Sequence, residues 1–338
     1  MNKQYLLTGA TSQLGRYIVS MLIENGDKVR VLVSQDEDRS CFDGVDVEIF
    51  EGEIFQKDSM KEFFTLESPR EAILIHADER VSIAHNKDLL MRRTNVTGAV
   101  NVTDMCIRHR IGRMVFLSSA YALPSTSTGY VSGTKFHFDR NHVEGDYAQT
   151  KAEASAYVME KVSLNKFDAV LVLPTFMIGP GFTTDSDIGK ILDGYLHKEI
   201  APVQGGHVFV DVRDVAAGVI AAAQKGETGA GYILTGEYRT TVEFFQDVNE
   251  VSSLENPSKV LPNWLLSKPA SLFVDTYYRL IHKENPKDVY ALFMTSPENH
   301  YESGDAAEVL DISHIDIKKS IEDTVNWAEH EAQEAQEA

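Results

Sequence analysis

Short apolar runs alternate with amphipathic segments along the first half of the chain. The runs are nearly continuous in apolar residues, which is typical of strands that are buried on both faces of a sheet. The predicted strands cover residues 5–7, 29–33, 45–50, 72–75, 114–117, 169–173 and 232–234. Because the segments between them have helical periodicity, the pattern predicts an α/β fold with a parallel sheet covered on both faces.

The helices follow from the spacing of apolar positions. In residues 14–25 the side chains of Leu14, Ile18 and Leu22 share one face, as expected for a helix packed on a sheet. The other predicted helices are a long one over 86–108, one that begins at Asp211, and helical, aromatic-rich sequence from Pro262 onward.

The regular alternation of strands and helices ends after Pro174, which suggests that the chain forms two structural parts. We expect residues 1–175, completed by parts of 205–235, to form the sheet domain. Residues 176–330 are expected to form, for the most part, a smaller lobe over the carboxyl edge of the sheet. The Glu/Ala/Gln-rich tail, 331–338, is predicted to be a fraying helix or disordered.

The acidic composition of the chain limits the classes of molecule that it is expected to bind. The 51 Asp and Glu residues outnumber the 32 Lys and Arg residues, for a formal charge of −19. A field of that sign repels phosphate backbones and anionic lipid, so we expect neither a nucleic-acid nor a membrane partner. No run approaches the roughly 20 apolar residues of a membrane span, and the N-terminal segment lacks the apolar stretch of a signal peptide. These features predict a cytoplasmic protein.

A metal site is not expected. Cys41 and Cys106 belong to no CxxC or Cys/His spacing and are predicted to be reduced thiols. His137 and His142 have no metal-binding partner at a usable spacing, so they are expected in loops that line the mouth of a substrate site.

The first candidate site is the turn between the first strand and the first helix, which reads Thr8-Gly9-Ala10-Thr11-Ser12-Gln13-Leu14-Gly15. A tight turn requires glycine at Gly9, and Gly15 lets the helix pack close to the sheet. The helix N-terminus offers N–H groups and a positive dipole end to a pyrophosphate. Ser12 stands where a second glycine would leave more room, although its hydroxyl could donate to a phosphate.

The second candidate site combines Tyr147 and Lys151. A spacing of four residues places both side chains on one helix face. A nearby ammonium lowers the pKa of a phenol, which prepares it for proton transfer to a carbonyl oxygen. Ser118 and Ser119 end the fifth strand, at the edge where parallel sheets bind ligands, and a hydroxyl there can hydrogen-bond the same carbonyl.

With these motifs the chain resembles the extended short-chain dehydrogenases/reductases of the NAD-dependent epimerase/dehydratase superfamily, and most closely their dihydroflavonol-reductase-like group. The resemblance implies a doubly wound Rossmann domain that binds NAD or NADP and a C-terminal lobe that binds the substrate. It also implies a catalytic set of Ser119, Tyr147 and Lys151, in which the lysine holds the nicotinamide ribose. Ser12 departs from the family's glycine-rich pattern.

Further matches to the family are spread along the chain. Glu53 and Ile54 correspond to the segment that contacts adenine, with Glu in place of Asp. The remaining correspondences are His76 and Ala77 beside the cofactor, Asn95 in a structural or proton-relay role, Pro174 and Thr175 against the nicotinamide, and the helix start at 209–216.

The residues after the second strand leave the choice between NAD and NADP nearly balanced. NAD-specific relatives have an Asp where Val33 stands, and NADP-specific relatives have an Arg where Ser34 stands. Ser34 can still donate to a phosphate, and Arg39 can swing in, whereas the acidic run 36–38 repels a phosphate. Because the missing acid removes the direct barrier and the nearest reductase relatives use NADPH, NADP is slightly favoured.

The leading functional hypothesis is the reduction of a ketone or aldehyde of a small molecule, or oxidation of the corresponding alcohol. A nucleotide-sugar epimerase or dehydratase on the same scaffold is the alternative. It is disfavoured because the residues after Ser119 do not follow the epimerase pattern and lack the Asp-Glu pair of the dehydratases. A non-catalytic dinucleotide sensor is a third hypothesis, disfavoured because Tyr147 and Lys151 are both retained. Relatives also suggest a homodimer formed by the helices near 86–108 and 147–163.

Overall fold

The computed structural model describes residues 3–81, 89–124, 130–183, 186–197, 202, 205–252 and 300–337. The helical sequence predicted from Pro262 onward lies outside these residues.

A seven-stranded parallel sheet forms the centre of the molecule, with the strand order β10-β7-β5-β4-β1-β2-β3. Its strands are β1 Gln4–Thr8, β2 Lys28–Val33, β3 Glu48–Glu51, β4 Ile73–His76, β5 Arg113–Leu117, β7 Ala169–Pro174 and β10 Gly231–Leu234. The order reverses between β1 and β4, where ligand crevices open in sheets of this type. The predicted fold class is therefore confirmed.

Two small sheets flank this centre. They are built from β6 Tyr130–Val131, β8 Phe176–Ile178, β9 Gly206–Asp211, β11 Glu237–Thr240 and β12 His300–Tyr301. The sheet order is β11-β9-β8 in one and β12-β6 in the other. Residues 205–235 were expected to contribute to the main sheet. Strand β10 does contribute to it, whereas β9 belongs to the small sheet β11-β9-β8.

The α-helices are α1 Gln13–Glu24, α2 Leu89–Arg92, α3 Ala99–His109, α4 Asp146–Asn165, α5 Asp187–Leu196, α6 Val212–Lys225, α7 Thr241–Ser252, α8 Ala306–Leu310 and α9 Ile317–Glu337. The segment Arg93–Gly98 between α2 and α3 is π-helical. Short 3₁₀ turns occur at Ser40–Phe42, Pro69–Glu71, Ala120–Ala122 and Arg140–His142. None of the described helices combines the length and apolar character that a bilayer span requires.

Both faces of the main sheet are buried, as the continuous apolar strands predict. In β1, Leu6 packs into one core while Tyr5 and Leu7 pack into the other. Helix α1 covers the second face with Ile18 and Leu22, both fully buried. A third core lies among α5, α7 and α9 and the sheet β11-β9-β8. It includes Phe209 of β9 and Phe245 of α7.

Three elements differ in extent from the sequence prediction. The third strand begins at Glu48 rather than at residue 45, because only Glu48–Glu51 pairs with β2. The helix predicted over 86–108 contains the π-helical segment, which apolar spacing alone does not reveal. The tail continues α9 as far as Glu337.

A buried ion pair joins the C-terminal helix to the sheet edge. The Asp211 side chain is fully buried and caps α6 by accepting from the Arg213 N–H at 2.8 Å. It also accepts from the Arg213 guanidinium at 2.7 Å and from the Ser320 hydroxyl of α9 at 2.6 Å. Arg213 completes the link through Asp323, at 2.8 Å.

We expect Asp211→Ala to lower the free energy of unfolding by about 3 kcal/mol, because it removes a helix cap and leaves Arg213 and Ser320 without their buried acceptor. Lys319→Ala is the control, since it removes an exposed partner of Asp323 and should leave the free energy of unfolding nearly unchanged. Urea denaturation followed by circular dichroism measures both. Equal losses in the two variants would contradict the account.

Candidate active site

The glycine turn between β1 and α1 is packed against the loop that follows β4. Gly9 has φ of +73°, and a Cβ there would lie 2.6 Å from the backbone of Ala77 and Asp78. A Cβ on Gly15 would lie 2.1 Å from the Gly9 carbonyl oxygen. Both glycines are therefore required by close packing, and the N-terminus of α1 is held at the carboxyl edge of the sheet.

The side chains of this turn stabilise the turn itself. The Ser12 hydroxyl donates to the Gly9 carbonyl oxygen at 2.7 Å and accepts from the Gly15 N–H at 3.0 Å. Its proton is thus used inside the cap, which differs from the expected donation to a phosphate. The Gln13 amide donates to the carbonyl oxygens of Gly179 and Pro180 at 2.7 and 2.9 Å. Leu14 is buried against the sheet.

Ser119, Tyr147 and Lys151 are brought together where β5 ends and α4 begins. Ser119 follows β5 and is buried, and its hydroxyl accepts from the Tyr121 N–H at 3.2 Å. It also lies close enough to Tyr147 to lower the pKa of that phenol. Ser118 faces the other way, with its hydroxyl 2.6 Å from that of Ser155. Of the two adjacent serines, only Ser119 is thus placed beside the tyrosine.

Lys151 is almost fully buried, with 3% of its side chain exposed. Its ammonium donates to the Leu117 carbonyl oxygen at 2.6 Å, and it lies 5.4 Å from the centre of the Phe116 ring. It also forms an ion pair of 2.8 Å with Glu79. The charge that was expected to act on Tyr147 is therefore shared with a carboxylate.

Glu79 is a site residue that the sequence analysis did not identify. The Tyr147 hydroxyl donates to Glu79 Oε2 at 3.0 Å. Burial, followed by the charge of Glu79, raises the pKa of Tyr147 well above its ordinary value, while the Ser119 hydrogen bond lowers it. The expected lowering of this pKa by Lys151 is thus overturned for the free enzyme. The position of Glu79 three residues after β4 was the only signal in the sequence.

The loop that carries Glu79 is held by Asn95. The Asn95 side chain accepts from the Arg80 N–H at 2.8 Å and donates to the Arg80 carbonyl oxygen at 2.9 Å. It also donates to the Thr150 hydroxyl on α4 at 3.1 Å. Asn95 therefore fixes the loop against the helix that carries Tyr147.

His76 ends β4 beside this loop. Its Nδ1 shares a hydrogen bond of 2.6 Å with the Thr8 hydroxyl. Burial, together with the charge of Lys151, lowers the pKa of His76 to about 3, so the ring is neutral. The buried Nε2 atom has no hydrogen-bond partner among the described residues. Ala77, the next residue, is buried under the glycine turn.

One carboxylate of the acidic run 36–38 lies at the end of β2. Glu37 accepts from the Ser34 N–H at 3.0 Å, just after β2, and from the hydroxyl of Thr11. Arg39, expected to be able to turn toward this position, is paired with Glu51 at 2.8 Å. The end of β2 therefore presents an acidic group rather than a cation.

The remaining predicted cofactor residues lie along the same edge. Burial, with the nearby charges of Asp36 and Glu37, raises the pKa of Glu53. Ile54 is buried beneath the π-helical segment, where a Cβ on Gly98 would lie 2.3 Å from its side chain. On the other side of the cleft, Pro174 lines the cavity described below, and Thr175 is buried with its N–H donating to the Leu234 carbonyl oxygen at 3.0 Å.

A cavity of about 520 Å³ opens onto Ser119 and Tyr147. Most of its wall is apolar and is made by Val81, Tyr121, Leu123, Val143, Phe176, Met177, Ile188 and Tyr301. His207 also lines it, 3.1 Å from the Tyr121 hydroxyl, and burial lowers the pKa of His207 to about 3. His142 lies at the cavity wall, as expected. His137, in contrast, is exposed and is not among the described residues that line the cavity.

These features fit a dinucleotide. The backbone of Gly9 and Ala10 lies against the first turn of α1. The first N–H groups of a helix have no partner within the helix and can bind an anion such as a pyrophosphate. Glu37, beside the end of β2, and Lys151, beside the end of β5, offer groups suited to ribose hydroxyls. The described residues contain no group of three or more His, Cys, Asp or Glu side chains placed to bind a metal ion.

Comparison with known proteins agrees with this geometry. The model of the NAD dependent epimerase/dehydratase family matches residues 5–234. The chain is 26% identical over 326 residues to "Sterol demethylase protein B" of Methylococcus capsulatus, covering 95% of this chain and 97% of that protein. It is 25% identical over 329 residues to a "Putative dihydroflavonol 4-reductase" of Synechocystis sp., covering 96% and 94%.

A solved structure has the same fold. The crystal structure of gox2253 superposes with a TM-score of 0.79, at 23% sequence identity, over 97% of this chain and 98% of that chain.

Asp78, beside Glu79, predicts a pH-dependent stability. Burial, with the charges of Glu37, Glu79 and Glu53, raises the pKa of Asp78 to about 7. Because the folded state binds this proton more tightly than the unfolded chain, the stability it contributes is lost as the pH rises through about 7. The free energy of unfolding of Asp78→Asn, relative to that of the wild type, should therefore rise by about 2 kcal/mol when the pH is raised from 5 to 8.

Urea denaturation at the two pH values measures this difference. Asp43→Asn, which changes an exposed carboxylate on the same side of the molecule as β2, is the control and should show no such gain. A constant difference between Asp78→Asn and the wild type at both pH values would refute the prediction.

Proposed function

Because the chain belongs to the NAD dependent epimerase/dehydratase family and is an enzyme of the short-chain dehydrogenase/reductase type, we propose that it reduces a carbonyl group of an apolar small molecule, or oxidises the corresponding alcohol. The observation that carries this proposal is the apolar cavity that ends on Ser119 and Tyr147. A cavity of about 520 Å³ has the size typical of small-molecule sites.

The proposed chemistry assigns a role to each residue at the floor of the cavity. The Ser119 hydroxyl orients the substrate oxygen, and the Tyr147 phenol donates its proton to that oxygen as charge develops there. Lys151 binds ribose hydroxyls and stabilises the phenolate that remains. The bound nicotinamide dinucleotide supplies or accepts the hydride. The apolar wall excludes water, so these interactions act in a medium of low dielectric constant.

A polycyclic substrate fits the cavity best. Besides Tyr147 and His207, its wall contains the aromatic side chains of Tyr121, Phe176 and Tyr301, which offer flat surfaces to fused rings. Two relatives matched over nearly their whole length carry the names of a sterol demethylase protein and a dihydroflavonol reductase, and sterols and dihydroflavonols are both neutral ring systems. We therefore place the substrate among neutral polycyclic ketones or alcohols.

The alternative, a nucleotide-sugar epimerase or dehydratase, is less well supported. A nucleoside diphosphate carries charges that binding sites commonly meet with Arg or Lys. Among the described residues that line the cavity, none is Arg or Lys, whereas Glu79 and Glu144 are both acidic. The electrostatics of the described wall thus favour a neutral substrate.

We further propose that NAD is preferred to NADP. The sequence slightly favoured NADP because no acid stands at Val33. However, the Glu37 carboxylate, from the loop after β2, accepts a hydrogen bond from the Ser34 N–H. It therefore supplies a negative charge at the end of β2. A 2′-phosphate placed there would meet this charge, while ribose hydroxyls can donate to it. Arg39 does not offset the charge because it is paired with Glu51.

Tyr147→Phe tests the assigned proton donor. With a polycyclic ketone and NADH, we expect kcat to fall by a factor on the order of 10³, while the NADH dissociation constant stays within about threefold. Tyr157→Phe is the control on the same helix, because its hydroxyl contacts Asp104 away from the cavity. Absorbance of NADH and fluorescence titration provide the two measurements. Wild-type turnover in Tyr147→Phe would exclude the assigned role, and turnover only with nucleotide sugars would favour the alternative.

Dissociation constants for NADH and NADPH test the cofactor proposal. We expect NADH to bind more tightly by on the order of 30-fold, which corresponds to about 2 kcal/mol. Glu37→Gln should reduce this ratio to about threefold, because it removes the charge that repels the 2′-phosphate. Asp38→Asn is the control in the same loop, where the carboxylate bonds only to Ser40 among the described residues. Tighter binding of NADPH by the wild type would overturn the proposal.

A further inference from the structure

A single carboxylate oxygen lies between the two catalytic side chains of α4. Glu79 Oε2 is 3.0 Å from the Tyr147 hydroxyl and 2.8 Å from the Lys151 ammonium nitrogen. The side chain of Glu79 is 15% exposed and that of Lys151 is 3% exposed. Little water therefore screens these contacts, and the charge of Lys151 is largely matched by that of Glu79.

The position of Glu79 is set by its surroundings. Asn95 binds both backbone groups of the next residue, Arg80, at 2.8 and 2.9 Å. On the other side, the backbone of Ala77 and Asp78 is in close contact with Gly9. The loop is thus held at both ends, so Glu79 is directed at Tyr147 by packed backbone rather than by a flexible segment.

Other polar and titratable groups surround the phenol. Ser119, just after β5, lowers the pKa of Tyr147, and its hydroxyl accepts from the Tyr121 N–H at 3.2 Å. His207 of β9 contacts the Tyr121 hydroxyl rather than that of Tyr147. Asp78 precedes Glu79 in the loop, and His142 and Glu144 lie at the cavity wall before α4. Of these groups, Glu79 is the one whose carboxylate accepts the phenol proton directly.

We propose that Glu79 is a positioning residue that keeps Tyr147 in its protonated form and neutralises Lys151 in the free enzyme, so that the site is set for proton donation to a carbonyl. In the reduction, the O–H bond of Tyr147 breaks, the proton passes to the substrate oxygen, and the electron pair stays on the phenolate, which is reprotonated from water. Glu79 is unchanged at the end. The direction of the reaction rests on the proposed function, whereas the protonation state of Tyr147 does not.

The phenol of Tyr147 can be titrated without substrate or cofactor. The ultraviolet difference spectrum between the wild type and Tyr147→Phe isolates the ionisation of this one tyrosine as the pH is raised. In the wild type we expect no phenolate up to a pH of about 10, the ordinary pKa of a tyrosine. In Glu79→Gln, compared with the double variant Glu79→Gln/Tyr147→Phe, we expect the midpoint to fall by about 2 pH units, because the negative charge is lost and Lys151 is left unneutralised.

Asp146→Asn is the matched control, since Asp146 adjoins Tyr147 in the sequence but is exposed, and it should leave the midpoint unchanged. Ionisation of Tyr147 below pH 10 in the wild type would overturn the proposal even if Glu79→Gln does not fold. So would a midpoint in folded Glu79→Gln within about 0.3 units of the wild type. Because the titration involves no turnover, failure of the carbonyl-reductase proposal would leave its result interpretable.

Discussion

The close contact between the glycine turn and the loop after β4 is the constraint on which the site depends. Gly9 lies so near the backbone of Ala77 and Asp78 that any side chain would separate the two segments. One of these segments begins α1, which offers its N-terminus to a pyrophosphate. The other carries Glu79 to Tyr147. A single backbone contact therefore sets the N-terminus of α1 and the Glu79 side chain in fixed positions relative to each other.

Negative charge is the second feature that unites the site. Glu37 lies at the end of β2 and Glu79 lies beside Tyr147. Burial, with the charges of these two carboxylates, raises the pKa of Asp78, and burial, with the charges of Asp36 and Glu37, raises the pKa of Glu53. Such a field disfavours an additional phosphate and a doubly charged substrate. It is compatible with a neutral substrate in an apolar cavity and with a tyrosine that retains its proton. The same electrostatics thus support the substrate, cofactor and direction that we propose.

The fold follows closely from the sequence because its signals are local. Continuous apolar runs such as Leu171–Leu173 occur only where both faces of a strand are covered, and Asp211 begins a helix because its carboxylate caps it. The relative placement of Ser119, Tyr147 and Lys151 was also accessible, since motif order and helical spacing bring them to one edge. The role of each remains a prediction.

The parts that the sequence did not reveal arise from contacts between distant segments. Glu79 and Tyr147 are 68 residues apart, and no spacing rule links them. Glu37 reaches the Ser34 N–H at the end of β2 from the acidic run 36–38, and the sequence could not show which carboxylate of that run points there. In both cases the side chain lies in a loop whose path is determined by tertiary packing, and a charge there reverses an inference drawn from the motif alone.

We propose above all that this enzyme carries out a net reduction of an apolar carbonyl compound. The decisive experiment is transfer of deuterium to a neutral polycyclic ketone from NADH labelled stereospecifically at C4, with the product analysed by mass spectrometry and the NADH followed by absorbance. We expect an alcohol with one deuterium on the carbinol carbon for each NADH consumed. Isomerised or dehydrated product without net loss of NADH would rule out a net reduction.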